Sequence, residues 1–203
     1  MSIKPQSSQL YSGEAMSVEA YLQLDRNSPN AKYEYLEGVV RLMSGGSREH
    51  DEIAYNMRVA LNQHFQTGPC FVQGSDLRVQ VSASAYFFPD VTVSCDVADR
   101  RRGNTLIRSP RIVVEVLSPS TEHVDRGKKL EIYKECVTIQ EIVLISQFER
   151  HVEVYRRDEE GGIVWKHLGY EGGSMLRLSS VDVRLVVNDL YKGIDFDEPL
   201  VEQ

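Results

Sequence analysis

Two carboxylates, Asp90 and Glu115, stand at the edges of consecutive apolar, strand-like runs. Asp90 follows Pro89 in Phe87-Phe88-Pro89-Asp90-Val91-Thr92-Val93, and Glu115 lies inside Arg111-Ile112-Val113-Val114-Glu115-Val116-Leu117. An ionised carboxylate in an apolar setting is costly unless it is paired or bound to a metal. Two of them in successive segments suggest a shared cation, and hard oxygen donors of this kind suit Mg²⁺ or Mn²⁺. Further along, Asp125, Lys129 and Tyr133 recur every four residues and so fall on one helical face. Each residue also has an ordinary reading. Asp90 could be a turn residue after proline, Glu115 could face water from an edge strand, and Lys129 could form a surface ion pair with Asp125.

A proline-led acid, an acid in an apolar strand and then a lysine is the order of parts in the PD-(D/E)xK nucleases. The local wording resembles one branch of them, the Uma-type putative restriction endonuclease family. The match runs through Tyr33-Glu34-Tyr35-Leu36-Glu37-Gly38, Met43-Ser44, His50, Pro89-Asp90, Glu115-Val116-Leu117-Ser118-Pro119-Ser120-Thr121, Asp125, Lys129 and Tyr133. It covers about Tyr33 to Tyr155, and Glu-Val-Leu-Ser-Pro-Ser-Thr is its most specific piece. One departure stands out. The lysine expected two residues after the second acid falls on Leu117, so the resemblance assigns that role to Lys129 of the following helix, with Lys128 as the fallback.

The resemblance implies a restriction-endonuclease-like α/β fold, a mixed central β-sheet flanked by α-helices. It makes Asp90 and Glu115 the metal ligands, joined by the Val116 carbonyl, and adds Lys129 as the third catalytic residue. Glu37 and His50 match recurrent positions where either could complete the metal shell or bind phosphate. Arg126 could touch phosphate, while Tyr133 packs beneath the site. A homodimer is also implied, because nucleases that cut both strands commonly pair two sites.

The bulk properties narrow the alternatives. A chain of 203 residues is long enough to bury a substantial core, and no linker or repeat divides it, so residues 1–203 read as one domain. Residues 1–30 form a helical lead-in, and residues 180–203 form a tail docking on the body or on a partner. No apolar stretch approaches the length of a membrane span, and the start Met1-Ser2-Ile3-Lys4-Pro5-Gln6 lacks a secretion core, which places the protein in the cytoplasm with no membrane partner. Cys70, Cys95 and Cys136 show no metal or redox spacing and read as reduced core thiols. The net charge of −7 argues against coating nucleic acid by overall electrostatics. Arg100 to Lys134 nevertheless holds nine basic residues against four acidic ones, which predicts either a basic rim beside the metal centre or a solvated tip at Arg100-Arg101-Arg102.

Periodicity supplies the elements. Ser17 caps a short helix that ends at Asn27-Ser28-Pro29, and Tyr33 to Met43 alternates as a strand with a turn or bulge at Glu37-Gly38. Ile53, Met57, Ala60, Leu61 and Phe65 mark an amphipathic helix from Arg48 to about Gln66. Phe71-Val72, Leu77 to Val81, Tyr86 to Cys95 and Ile112 to Leu117 read as strands. A helix from Asp125 to Cys136 then leads to a strand at Glu141 to Ile145, which predicts a parallel crossover. A hairpin follows around Asp158-Glu159-Glu160-Gly161-Gly162, and the tail from Val181 to Tyr191 is apolar.

The functional expectation is a Mg²⁺- or Mn²⁺-dependent endonuclease hydrolysing phosphodiester bonds of DNA. The alternative is a nuclease-like fold that has lost catalysis and serves as a nucleic-acid-binding or dimeric interaction module. No pattern that reads a base sequence is present.

Overall fold

The structure, a computed structural model, describes residues 15–43, 45–158 and 164–196. Helix α1 (Val18–Asn27) precedes the hairpin of β1 (Tyr33–Leu36) and β2 (Val39–Leu42), and the long helix α2 (Arg48–His64) follows. Next come β3 (Phe71–Gly74), β4 (Arg78–Ser82), β5 (Ala85–Phe87), β6 (Val91–Ser94), the two-residue β7 (Leu106–Ile107) and β8 (Pro110–Leu117). A kinked helical stretch runs through α3 (Glu122–Val124), a π-helical turn (Asp125–Lys129) and α4 (Leu130–Glu135). The chain closes with β9 (Glu141–Ser146), β10 (His151–Arg157), β11 (Trp165–Glu171), β12 (Met175–Leu178), β13 (Val183–Val186) and α5 (Val187–Leu190).

The central sheet is six-stranded, in the order β11-β10-β9-β8-β6-β3, and it is mixed: β8 and β9 are parallel, the other neighbours antiparallel. The strand–helix–strand passage from β8 to β9 therefore has the parallel outcome expected. A second sheet, β2-β1-β5-β4-β7, was not anticipated. Its origin is Pro89. The run from Tyr86 to Cys95, read as one strand, divides at Phe88-Pro89-Asp90 into β5 of the smaller sheet and β6 of the central one. Proline has no N–H to give a ladder, so it ends one pairing and lets the chain change sheets.

Both faces of the central sheet are covered. On one, Ile53, Met57 and Leu61 of α2 meet Val91, Val93, Val114, Val116 and Ile145, and Leu176, Val187 and Leu190 complete the layer. On the other, Val113, Ile142 and Leu144 pack against Ile132 and Tyr133 of α4 and against Val79 and Phe87 of the smaller sheet. Helix α1, capped by the Ser17 hydroxyl accepting from Ala20 N, seats Tyr21 against Tyr35 and Tyr86, with Arg78 ion-paired to Asp25.

Several expectations are corrected. Cys70 and Cys95 are not free thiols. Cys70 stands just before β3 and Cys95 just after β6, side by side beyond the Phe71–Ser94 pair, and a disulfide joins them, leaving Cys136 as the buried free cysteine. The hairpin after Tyr155 is present as β10 and β11, with β11 continuing to Glu171, but residues 159–163 lie outside the described residues, as do Ser44, residues 1–14 of the lead-in and residues 197–203 of the tail. The part of the tail that is described packs Val183, Val187, Leu190 and Tyr191 into the core.

Glu141 shows how a buried charge is satisfied away from any site. Its carboxylate, fully buried at the start of β9, accepts from Arg156 Nε (2.7 Å), Ser179 N, Ser180 N and the Ser180 hydroxyl. Removing one partner of such a set strands the others. Glu141→Ala should cost about 3 kcal/mol, read as a lower urea midpoint in equilibrium unfolding, whereas an unchanged midpoint would deny this network a structural role.

Candidate functional site

Lys129 is the centre of a buried polar cluster. Its ammonium is ion-paired with Glu115 Oε1 at 2.8 Å and Glu34 Oε1 at 2.9 Å, and it lies 3.4 Å from Asp125 Oδ1. The amine and all three acids are almost wholly buried. Four segments contribute: β1 gives Glu34, β8 gives Glu115, the π-helical turn gives Asp125 and Lys129, and α4 gives Tyr133. Tyr133 donates its hydroxyl to the same Glu115 oxygen at 2.5 Å. The backbone N–H of Phe88, just before Pro89, is within 3.2 Å of Glu34 Oε1, tying the sheet switch to the cluster.

Asp90 stands beside this group, on the first residue after the switch. Its Oδ2 accepts from Val116 N at 2.7 Å, which fixes it against the residue following Glu115, and pairs with His50 Nε2 at 3.2 Å. The register of β6 on β8, with Val91 opposite Val114, is what sets these two acids side by side. His50 comes from the first turn of α2. That helix is capped by the Ser47 hydroxyl accepting from His50 N, and Ser47 is also near the Gln147 side chain at 3.4 Å.

The electrostatics follow from burial and crowding. Burial pushes the Glu115 carboxyl well above its ordinary range; Lys129 pulls it back, while Asp125, Asp90 and Glu34 push the same way as burial. Asp125 is raised for the same reasons, burial first. Burial opposes charge on Lys129, yet Glu115, Glu34, Tyr133 and Asp125 together outweigh it and hold the amine well above the usual lysine range. The Tyr133 phenol is pushed up by burial and by Glu115, so it stays a hydrogen-bond donor. For His50, burial opposes charge, but Asp90 and the Val116 carbonyl raise its pKa.

Four carboxylates, Glu34, Asp90, Glu115 and Asp125, thus face one lysine and one histidine. The excess of negative charge fits a divalent cation. Asp90 Oδ1 and Glu115 Oε2 have no hydrogen-bond partner among the described residues, because the contacts above fall on Oδ2 and Oε1. No group of three or more His, Cys, Asp or Glu side chains among the described residues is arranged to hold a metal by itself. Two carboxylates with a main-chain carbonyl is nonetheless a donor set that suits Mg²⁺, which keeps several of its waters.

The remaining sequence candidates are elsewhere. Glu37 is the first residue of a tight turn, with φ 47° followed by Gly38 at φ 93°, the backbone of a type I′ hairpin. Its exposed carboxylate is 3.9 Å from Lys128, and it does not join the cluster. Arg126 points the other way, to Glu122 (2.7 Å) and Glu153 on β10 (2.6 Å). Arg100-Arg101-Arg102 does not rim the centre either: Ser94 pairs with Pro110 at the opposite end of β6 and β8 from Asp90 and Glu115. Glu34 went unnoticed in the sequence. The signal was the alternation Tyr33-Glu34-Tyr35-Leu36, which turns Glu34 away from the tyrosines that pack under α1.

The chain matches a recognised group. Residues 18–187 match the Uma2 family, described as "Putative restriction endonuclease", and the chain belongs to that family. Two relatives come from Synechocystis sp.: "Uncharacterized protein slr1290", 35% identical over 89% of this chain and 94% of its own length, and "Uncharacterized protein sll1609", 27% identical over 70% and 81%. The fold is similar to the crystal structure of "a putative nuclease belonging to DUF820" from Anabaena variabilis, with a TM-score of 0.69, 20% identity, and coverage of 87% of this chain and 97% of that one. The architecture is α/β and restriction-endonuclease-like.

Lys129→Met should destabilise the fold by about 3 kcal/mol or more, since it leaves three buried acids without their cation. Glu34→Gln should then cost less in that background than in the wild type. Urea unfolding of the four proteins as a double-mutant cycle checks this; strictly additive costs would mean that the 2.9 Å contact has no energetic weight.

Proposed function

We propose that the protein is a Mg²⁺- or Mn²⁺-dependent endonuclease that hydrolyses phosphodiester bonds of DNA. The observation that carries the reading is the meeting of Asp90, Glu115 and Lys129, from separate elements, at the junction of two sheets. The family's description as restriction endonucleases and the neighbour's as a nuclease support the same class.

Asp90 and Glu115 would hold the cation with the Val116 carbonyl. A divalent ion there supplies charge neutralisation for the phosphate and acidifies a water. The chain's own groups do the rest. Tyr133 and Lys129 fix one Glu115 oxygen and leave the other free to bind. Val116 N and His50 orient Asp90 in the same way. Burial opposes charge on Lys129, but its acidic neighbours outweigh it, which supports an electrostatic role over that of a general base. It is an electrostatic donor, set to stabilise charge on a phosphate oxygen or to orient the attacking water. Water adds to phosphorus as the P–O ester bond breaks; the attacking water releases one proton to solvent and the released oxygen takes one up. Glu34 and Asp125 position the lysine. The homodimer expected of an enzyme that cuts both strands is part of this proposal and rests on the family resemblance.

The test is cleavage of supercoiled, linear and single-stranded DNA and of RNA, with Mg²⁺, Mn²⁺ or chelator. The wild type should cut DNA only with metal, and Glu115→Gln should lose cutting by at least about a hundredfold, the scale of removing one transition-state electrostatic group. Undiminished cutting by the variant would remove Glu115 from the centre, and metal-independent binding without turnover would favour the interaction module.

A further inference from the structure

At the far end of the central sheet, the loop between β6 and β7 carries Arg100, Arg101 and Arg102, and Arg108 follows just after β7. All four are exposed. Among the described residues none forms an ion pair, in contrast to Arg78, Arg126 and Arg156, which each hold a carboxylate. Their one hydrogen bond from a guanidinium is a long contact from Arg100 to Gly68 O at 3.5 Å.

The loop is held in shape by its own buried polar groups. The Asp99 carboxylate, 5% exposed, accepts from the Ser94 hydroxyl, Arg108 N and Ser109 N, each at 2.9 Å. Asp96 accepts from Ala98 N and the Ser109 hydroxyl, both at 2.8 Å. The Asn104 amide donates to Asp99 O and Leu106 O. The nearby acids are therefore committed to backbone and hydroxyl donors. The Ala98 N–H and then the Ser109 hydroxyl lower the Asp96 pKa, and Arg101 adds a smaller share in the same direction without forming an ion pair. The result is an open pocket of about 480 Å³ lined by Asp96, Asp99, Arg101, Arg102, Asn104 and Arg108, a size in the range of ligand-binding clefts.

We propose that this loop is an anion site, separate from the candidate centre, which binds phosphate groups of a nucleic acid. A fixed backbone carrying several guanidiniums that have no carboxylate partner among the described residues suits phosphate oxygens. Their position supports the same ligand. From Asp90 to Asp96 is six residues of extended chain, about 20 Å, or about six nucleotide steps along a strand. A nucleic acid engaged at the centre needs more than that length to reach the loop. The identity of the ligand rests on the nuclease reading; the phosphate chemistry of the loop does not.

The experiment measures binding, in chelator, of a DNA duplex of about 24 base pairs, a strand of about four nucleotides and inorganic triphosphate. The proteins are the wild type, the triple variant Arg101→Ala, Arg102→Ala, Arg108→Ala, and the corresponding triple lysine variant, with thermal melts to show that each is folded. The alanine variant should bind the duplex at least about tenfold more weakly at 0.1 M salt, and its log–log salt slope should flatten by about 0.9 for each phosphate that the protein no longer neutralises. Binding of the short strand should not change, and the lysine variant should keep most of the slope. If duplex binding is unaltered but triphosphate binding disappears with the arginines, the phosphate site stands and its source is a free polyphosphate. If neither ligand responds to the substitutions, the site is overturned. If the wild type binds no DNA in chelator, the triphosphate arm still decides the loop, and the nuclease reading is decided separately by the metal-dependent cleavage panel.

Discussion

An ammonium group held out of water by three carboxylates is the constraint on which the rest of this structure depends. Neither Lys129 nor its partners could be buried alone at an acceptable cost. Together they form a set whose members raise or restrain one another's charge, with Tyr133 supplying a proton-bearing oxygen to the most crowded acid. The set still has more negative than positive groups, and that imbalance is chemically useful. A wholly neutralised cluster would be a structural ion pair. This one retains lone pairs on Asp90 and Glu115 that a cation can use.

The geometry depends on a single break in the backbone. The break at Phe88-Pro89-Asp90 ends the smaller sheet at Phe87, and Asp90 leads directly into the central one at Val91. The acid therefore sits where the two sheets diverge, and Glu34 reaches the same place from β1 through the Phe88 amide and Lys129. The kink within the helical stretch around Gly127 places Asp125 and Lys129 together on the buried side, while Arg126 turns outward to β10. A substrate would meet a centre whose parts are fixed by both sheets.

Much of this was legible from residue type and order. Asp90 and Glu115 stood out because carboxylates interrupt apolar runs, and the spacing from Asp125 to Tyr133 turned out to be a shared buried face. The sheet pairing was not legible. Glu34 was passed over for Glu37 because the family resemblance pointed to the latter, and the backbone shows that Glu37 occupies a left-handed turn position. Arg126 looked available for phosphate until Glu153, 27 positions later, claimed it. The Cys70–Cys95 bond depends on β3 lying beside β6, a pairing that no local pattern announces. Long-range register was the missing information in each case.

The hairpin that carries Glu34 is itself gripped from the amino-terminal side. Met16 N donates to Gly38 O at 2.9 Å, and a Cβ at Gly38 would fall 2.5 Å from the Ala15 side chain, in addition to meeting a left-handed backbone. The residues just ahead of α1 thus clamp the turn whose strand supplies a partner to Lys129. The chain after α5 is tied to α2 instead, where Asn56 donates to Leu190 O and Lys192 O and Arg48 donates to Gly193 O. For anyone producing the protein, fusions and truncations near residue 15 are connected to Lys129 through one short hairpin. The described end of the chain, through Leu190, Lys192 and Gly193, bears on the helix of His50 instead.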